Sequence, residues 1–133
     1  MSMTFHHIGI ATIDIEKSIF IYQEIGYEWQ KEMIYTDVIQ NVRLAFMFRE
    51  GHPLIELVAS LNAASPINNL LHKSKTSPYH TCYEVEDIEA TIKSLKALRF
   101  FPTAKPVPAI AFDNRLICFL YHPHFGLVEL LQR

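Results

Sequence analysis

FHHIGIATIDIEKSI, spanning Phe5–Ile19, decides the reading of this chain because the chain repeats it. Seventy-three residues on stands YHTCYEVEDIEATI, Tyr79–Ile92, which pairs His7 with His80 and sets Asp14, Ile15, Glu16 and Ile19 against Asp87, Ile88, Glu89 and Ile92. The offset then runs without a gap to the far end of each half. Phe46 meets Phe119, and Leu54-Ile55-Glu56-Leu57 meets Leu127-Val128-Glu129-Leu130. Each half therefore opens on a histidine and closes on a glutamate set in an apolar strand. A repeat this long, present twice, predicts two pseudo-symmetric modules rather than a solenoid array.

Within each half the same elements follow. Phe5–Ala11 reads as a strand, with Phe5, His7 and Gly9 on one face and His6, Ile8 and Ile10 on the other. Asp14 is a natural N-cap, and Ile15, Ile19 and Tyr22 fall at i, i+4, i+7 on one helical stripe. Gly26 suits the left-handed end of that helix. Further strands are expected over Tyr27–Tyr35, Val42–Phe48 and Pro53–Ser60. The second half repeats the series, with a strand over Tyr79–Val85 and a helix capped by Asp87. A weak strand over Phe100–Lys105 precedes strands over Leu116–Tyr121 and Leu127–Leu131. Pro102, Pro106 and Pro108 make the passage between them extended and stiff. The expected class is α+β, two βαβββ modules in a single domain: residues 1–60, a linker of 61–77, and 78–133. Ser65-Pro66 is placed to start a short helix inside the linker.

Bulk properties exclude several classes of function. Half of the 133 residues are hydrophobic and a fifth are charged, so the chain can bury a core and is not a disordered one. A formal net charge of −2 offers no basic excess, so nucleic acid is not an expected partner. Apolar runs such as Leu116–Tyr121 are far shorter than the roughly 20 residues of a membrane span, and no signal peptide is visible. Cys82 and Cys118 lie outside any CxxC spacing and read as buried, reduced thiols, which points to the cytoplasm.

Four residues carry the chemistry. Glu56 has Leu54 and Val58 on its own face of the strand, with Ile55 and Leu57 on the other; Glu129 has Leu127 and Leu131, with Val128 and Leu130. Burying a lone carboxylate costs several kcal/mol by order of magnitude, so each glutamate must be paired, protonated or metal-bound. Repeats related by a pseudo-twofold axis would bring equivalent positions together. His7, Glu56, His80 and Glu129 are then a His-Glu-His-Glu set, with two coordination positions left for water or substrate. Mixed nitrogen and oxygen donors admit Zn, Ni, Co, Mn or Fe(II) and argue against a thiolate site. His6 points away from His7, and His52, His72, His122 and His124 lie in turns or the linker. Phe46, Phe48, Phe119 and Tyr121 read as core, and Arg43, Lys105 and Arg115 as surface cations with the option of facing an anionic ligand.

At these residues the chain resembles the vicinal-oxygen-chelate superfamily, which includes glyoxalase I, methylmalonyl-CoA epimerase, extradiol dioxygenases and antibiotic-resistance binding proteins. The stretches that carry the resemblance are HHIGIATIDIEKSIFIYQEIGY, HPLIELVASLNAASPINNLL, YHTCYEVEDIEATI and GLVELLQ. It implies modules whose curved mixed sheets surround a shared metal cleft, with His7, Glu56, His80 and Glu129 as ligands of a divalent metal ion. It further implies a lyase or isomerase that moves a proton α to a carbonyl through a metal-stabilised enolate, with Glu129 and Glu56 as the candidate bases. The substrate would be a thioester, as in the epimerases, or a hemithioacetal, as in glyoxalase I. Non-catalytic binding of a small molecule, as in the resistance proteins, is the alternative of another class. Pro106–Arg115 stands where glyoxalase I members carry a glycine-rich turn, and Arg43-Leu44 where some epimerases carry a further carboxylate. A homodimer is an expectation carried over from the superfamily.

Overall fold

A computed structural model describes residues Met1–Arg133. The chain folds as β1 (Thr4–Ala11), α1 (Ile15–Glu24), β2 (Glu28–Trp29), β3 (Tyr35–Asp37), β4 (Val42–Phe48), β5 (Leu54–Ser60), α2 (Asn68–Ser74), β6 (Ser77–Val85), α3 (Ile88–Ala97), β7 (Phe101–Pro102), β8 (Val107–Ala109), β9 (Arg115–His122) and β10 (Gly126–Gln132). It divides into two compact units. One is His7–Tyr79; the other is His80–Arg133 together with Met1–His6. The division falls inside β1, between its two adjacent histidines.

In the His7–Tyr79 unit the strand order is β2-β4-β5-β1, with β3 also paired to β4. β1 and β5 are parallel, and β4 is antiparallel to β5. One face of this mixed sheet carries α1. Ile15 and Ile19, at the spacing read from the sequence, bury against Ile10, Ala45, Met47, Ile55, Leu57 and Ala59. Asp14 caps α1 as expected, its Oδ1 accepting from the Lys17 amide at 3.1 Å. At the other end Gly26 has φ +107°, and the Arg49 guanidinium donates to the Ile25 carbonyl at 2.8 Å.

The second unit repeats the plan. β6 and β10 are parallel, β9 is antiparallel to β10, and β7 and β8 both pair with β9. α3 buries Ile88, Ile92 and Leu95 against Val85, Cys118, Leu120, Val128 and Leu130. Asp87 Oδ1 accepts from the Ala90 amide at 3.1 Å, the same bond at the same distance as in its twin. The α+β class expected from the sequence is therefore present in both units, each with a mixed sheet and a helix packed on it.

Three local expectations need correction. Tyr27–Tyr35 is not one strand. Lys31 and Glu32 adopt positive φ (57° and 46°), the chain kinks over Gln30–Glu32, and it extends as a paired strand again only at Tyr35. The Trp29 indole fixes the turn by donating to the Met33 carbonyl at 3.1 Å. The weak strand over Phe100–Lys105 shrinks to Phe101–Pro102, and pairing resumes at Val107–Ala109, where Pro108 stands in an outlying strand beside β9. The linker helix begins at Asn68, two residues after Pro66, behind a turn in which the Asn68 amide bonds the Ser65 carbonyl. Both cysteines are free and buried, as read. No helix is long and apolar enough to cross a membrane.

Candidate functional site

The site residues follow from strand alternation. Ile8 and Ile10 face α1, so His7 and Gly9 present the opposite face of β1. β5 lies alongside with Gly9 level with Glu56, and Ile55 and Leu57 are committed to the core under α1. Glu56 therefore emerges on the face of His7. His7 is fully buried, Glu56 is 3 % exposed, and His7 Nε2 stands 3.4 Å from Glu56 Oε1. Across the sheet from Glu56 lies Phe46, whose ring meets the His7 imidazole edge to face at 6.2 Å between centroids.

The second unit builds the same arrangement by the same route. His80 Nε2 stands 3.4 Å from Glu129 Oε1, both side chains buried. Phe119 is the cross-strand neighbour of Glu129, and its ring meets the His80 imidazole edge to face at 5.1 Å. One position breaks the equivalence. Gly9 stands level with Glu56, whereas its counterpart Cys82 stands level with Glu129. The side of Glu129 is thus lined by a buried thiol where the side of Glu56 has only a Cα.

All four residues singled out from the sequence occupy these two pairs, each histidine brought to its own glutamate. Phe48 and Tyr121, expected as core, are exposed; Phe46 and Phe119, expected the same way, wall the two pairs. The signal was present, since the two phenylalanines obey the same offset as the ligand-type residues. His6 turns to the other face of β1 and packs edge-on against Phe112 at 5.5 Å. Two of the three cations are engaged elsewhere. Arg43 is held by Glu16 at 2.8 Å, and that hydrogen bond keeps the Glu16 carboxyl below its usual pKa. Arg115 pairs with Glu84 at 3.2 Å and lies over the Phe112 ring.

The donor set suits a divalent ion. A buried imidazole and a buried carboxylate offer one neutral nitrogen and one anionic oxygen, a combination that transition ions accept. The 3.4 Å separation exceeds the roughly 2.8 Å of a charge-assisted hydrogen bond. It falls in the range expected for two neighbouring ligands that each stand about 2.1 Å from one ion. Each unit thus presents a buried pair of metal-type donors, walled by an aromatic ring.

Fold and donor pairs together define the class, an α+β protein of duplicated modules with one His-Glu pair in each. Comparison with known proteins gives the family: residues 6–119 match the Glyoxalase/Bleomycin resistance protein/Dioxygenase superfamily, and the chain belongs to it. It is 31% identical over 131 residues to an ethylmalonyl-CoA/methylmalonyl-CoA epimerase of Cereibacter sphaeroides, covering 96% of each chain. It is 30% identical to the mitochondrial methylmalonyl-CoA epimerase of Dictyostelium discoideum, over 96% of this chain and 77% of that one. Among solved structures it matches the fold of a Streptomyces coelicolor methylmalonyl-CoA epimerase in complex with 2-nitronate-propionyl-CoA. That match has a TM-score of 0.81 at 23% identity, covering 98% of both chains.

Proposed function

We propose that this chain is a metal-dependent epimerase that inverts the carbon α to the carbonyl of a short branched acyl-CoA thioester of the methylmalonyl-CoA kind. The observation that carries the proposal is the duplicated pair of buried His and Glu at equivalent positions. The epimerases among its relatives supply the substrate class. In this reading His7, Glu56, His80 and Glu129 hold one divalent ion. When bound, the ion supplies a Lewis acid that draws charge toward the substrate carbonyl and makes the adjacent C–H more acidic.

The chain's own residues do the rest. His7 and His80 pack edge-on against Phe46 and Phe119, which holds the imidazoles in place. One glutamate removes the α-proton from one face of the substrate, and the other returns a proton from the opposite face. That exchange inverts the centre and leaves substrate and product otherwise identical. The proton is handled at Oε2, since Oε1 is the oxygen turned to the histidine in each pair. Two free thiols, both buried, fit a protein working in a reducing compartment, and we place it in the cytoplasm.

The test follows the α-proton by NMR in deuterated water with methylmalonyl-CoA, alongside metal analysis of the protein. Deuterium entering at the α-carbon, with about one equivalent of divalent metal bound, is the expected result. Metal-loaded protein that exchanges no proton on methylmalonyl-CoA would refute the substrate assignment. The hemithioacetal of methylglyoxal and glutathione, run in parallel, shows whether the same proton chemistry serves another substrate.

A further inference from the structure

In the second unit the sheet face that carries Glu129 runs from closed to open. Along β9 and β10 it holds Ile117 and Leu131, then Phe119 and Glu129, then Tyr121 and Leu127. Ile117 and Leu131 are sealed and Glu129 is 3 % exposed, whereas Tyr121 is 46 % exposed. β7 widens the open end by one strand, with Phe101 level with Tyr121 and 64 % exposed. Pro102, the next residue, is level with Leu120, which packs under α3, so Phe101 shares the face of Glu129. Phe101 is two strands from Glu129, about 12 Å away at ordinary strand spacing and rise. That distance is within reach of a coenzyme A chain. Whatever bonds Glu129 from the open end of this face passes an exposed aromatic pair.

The other half of the duplication shows that the fold does not require this edge. β2 is the counterpart of β7 and pairs in the same register, with Glu28 level with Phe48 where Phe101 is level with Tyr121. The seventy-three-residue offset sets Arg99, Phe101 and Lys105 against Gly26, Glu28 and Glu32. RFFPTAK, Arg99–Lys105, carries two cations and no acid, a net charge of +2. GYEWQKE, Gly26–Glu32, carries two glutamates against one lysine, a net charge of −1. Arg99 also stands at φ 73°, where its twin position is Gly26 at φ 107°. That region disfavours a residue with a Cβ, so a cation occupies a place that glycine would fill with less strain. Arg99 and Lys105 are exposed, and neither has an ionic partner. Exposed aromatic faces accept a flat heterocycle by stacking, and unpaired Arg and Lys bond phosphate oxygens. The nucleotide end of coenzyme A, an adenine ring bearing phosphates, has both features. The acidic β2 edge would repel the same group.

We propose that the β7 edge binds the nucleotide end of the acyl-CoA substrate, with the adenine on Phe101 and Tyr121 and the phosphates at Arg99 and Lys105. This subsite rests on the acyl-CoA reading given above, and a ligand without an acyl group tests it apart from the chemistry. Adenosine 3′,5′-bisphosphate is titrated by calorimetry into the full-length protein. It should bind wild type. Phe101→Glu and Lys105→Glu, each of which installs the residue of the β2 edge, should weaken it by about tenfold or more. Circular dichroism confirms that both variants are folded. Glu28→Ala and Glu32→Ala should leave binding unchanged. With methylmalonyl-CoA, Phe101→Glu and Lys105→Glu should raise KM by a similar factor at constant kcat, the mark of a contact made equally in ground and transition states. The pantetheine thioester of methylmalonate, which lacks the nucleotide, should show no such rise. Bisphosphate binding that follows the β7 variants, in a protein that leaves methylmalonyl-CoA unchanged, would uphold the subsite and refute the epimerase reading. A wild type that binds no bisphosphate, or β7 variants that bind it as wild type does, would overturn the subsite even where methylmalonyl-CoA is epimerised. An equal rise in KM for both thioesters would overturn it too.

Discussion

Glu56 lies directly across the sheet from Phe46, and the ring of that phenylalanine stands edge-on to the imidazole that Glu56 faces. The same three-way relationship recurs between Glu129, Phe119 and His80. Each carboxylate is therefore held between an aromatic edge and an imidazole, in surroundings that leave it little water.

Replacing either glutamate by its amide tests the two-base reading. Glu129→Gln and Glu56→Gln keep the side-chain shape and remove the proton-accepting charge. Each should lower kcat for epimerisation by about a hundredfold or more, measured by coupled assay. If the two act on opposite faces, each variant will exchange the α-proton of one enantiomer with solvent faster than it produces the other. Equal exchange and inversion in both variants would contradict that division of labour.

The proposed metal site predicts an effect on stability as well as on activity. Wild type should gain about 2.7 kcal/mol when free divalent metal reaches 100 times its dissociation constant, seen as a rise in Tm. His7→Ala and His80→Ala should lose most of that gain. Because the pairs are equivalent in burial and distance, the two losses should be similar. A large loss in only one variant would mean that the two halves contribute unequally to the ion.

The helix caps offer a matched pair of measurements. Asp14 and Asp87 each accept one amide at 3.1 Å. Asp14→Ala and Asp87→Ala should each cost about 1 kcal/mol in denaturant unfolding.

Gly26 and Gly51 separate two effects of a glycine. Both have positive φ, +107° and +76°. A Cβ at Gly51 would meet nothing within 4 Å, whereas one at Gly26 would lie 3.1 Å from Arg49 Nη1. Gly51→Ala should therefore cost about 1 kcal/mol from backbone conformation alone. Gly26→Ala should cost more, because it also dislodges the guanidinium that bonds the Ile25 carbonyl at the end of α1.

Burial beneath α3 pushes the Cys118 thiol up to about 11 from a reference of 9.0. The folded state therefore holds the proton more tightly than the unfolded chain. Its contribution to stability is whole below pH 9 and is lost as pH rises toward 11. The loss should be on the order of 2 kcal/mol. Cys118→Ala should show a correspondingly shallower fall of unfolding free energy over that interval. In the native protein at neutral pH, Cys118 should resist alkylation.

How much of this was legible in the sequence depended on whether a residue's neighbours were local. Asp14 and Asp87 could be read as caps because a cap acts within three residues. His7, Glu56, His80 and Glu129 could be singled out because the repeat fixes equivalence without coordinates. The break after Trp29 was not legible, because it depends on Lys31 and Glu32 taking positive φ, which neither residue type announces. Short outlying strands such as Val107–Ala109 escaped for a related reason, since three residues carry no period and a proline inside them argues the other way. The engagement of Arg43 by Glu16 spans 27 positions and is set by how α1 lies on its sheet. Nothing in either local sequence signals it.

The histidine doublet has a consequence for how β1 finds its place during folding. Because His6 and His7 are adjacent, a strand displaced by one residue would still offer Glu56 an imidazole. Ligand chemistry alone thus discriminates poorly between the native alignment and its nearest error. What discriminates is the opposite face. The displaced strand would set His7 and Gly9 beneath α1 where Ile8 and Ile10 belong, forfeiting about 1.5–3 kcal/mol of burial for Ile10 and a smaller amount for the partly buried Ile8. The two isoleucines, remote from any chemistry, are the proofreaders of the strand that delivers it.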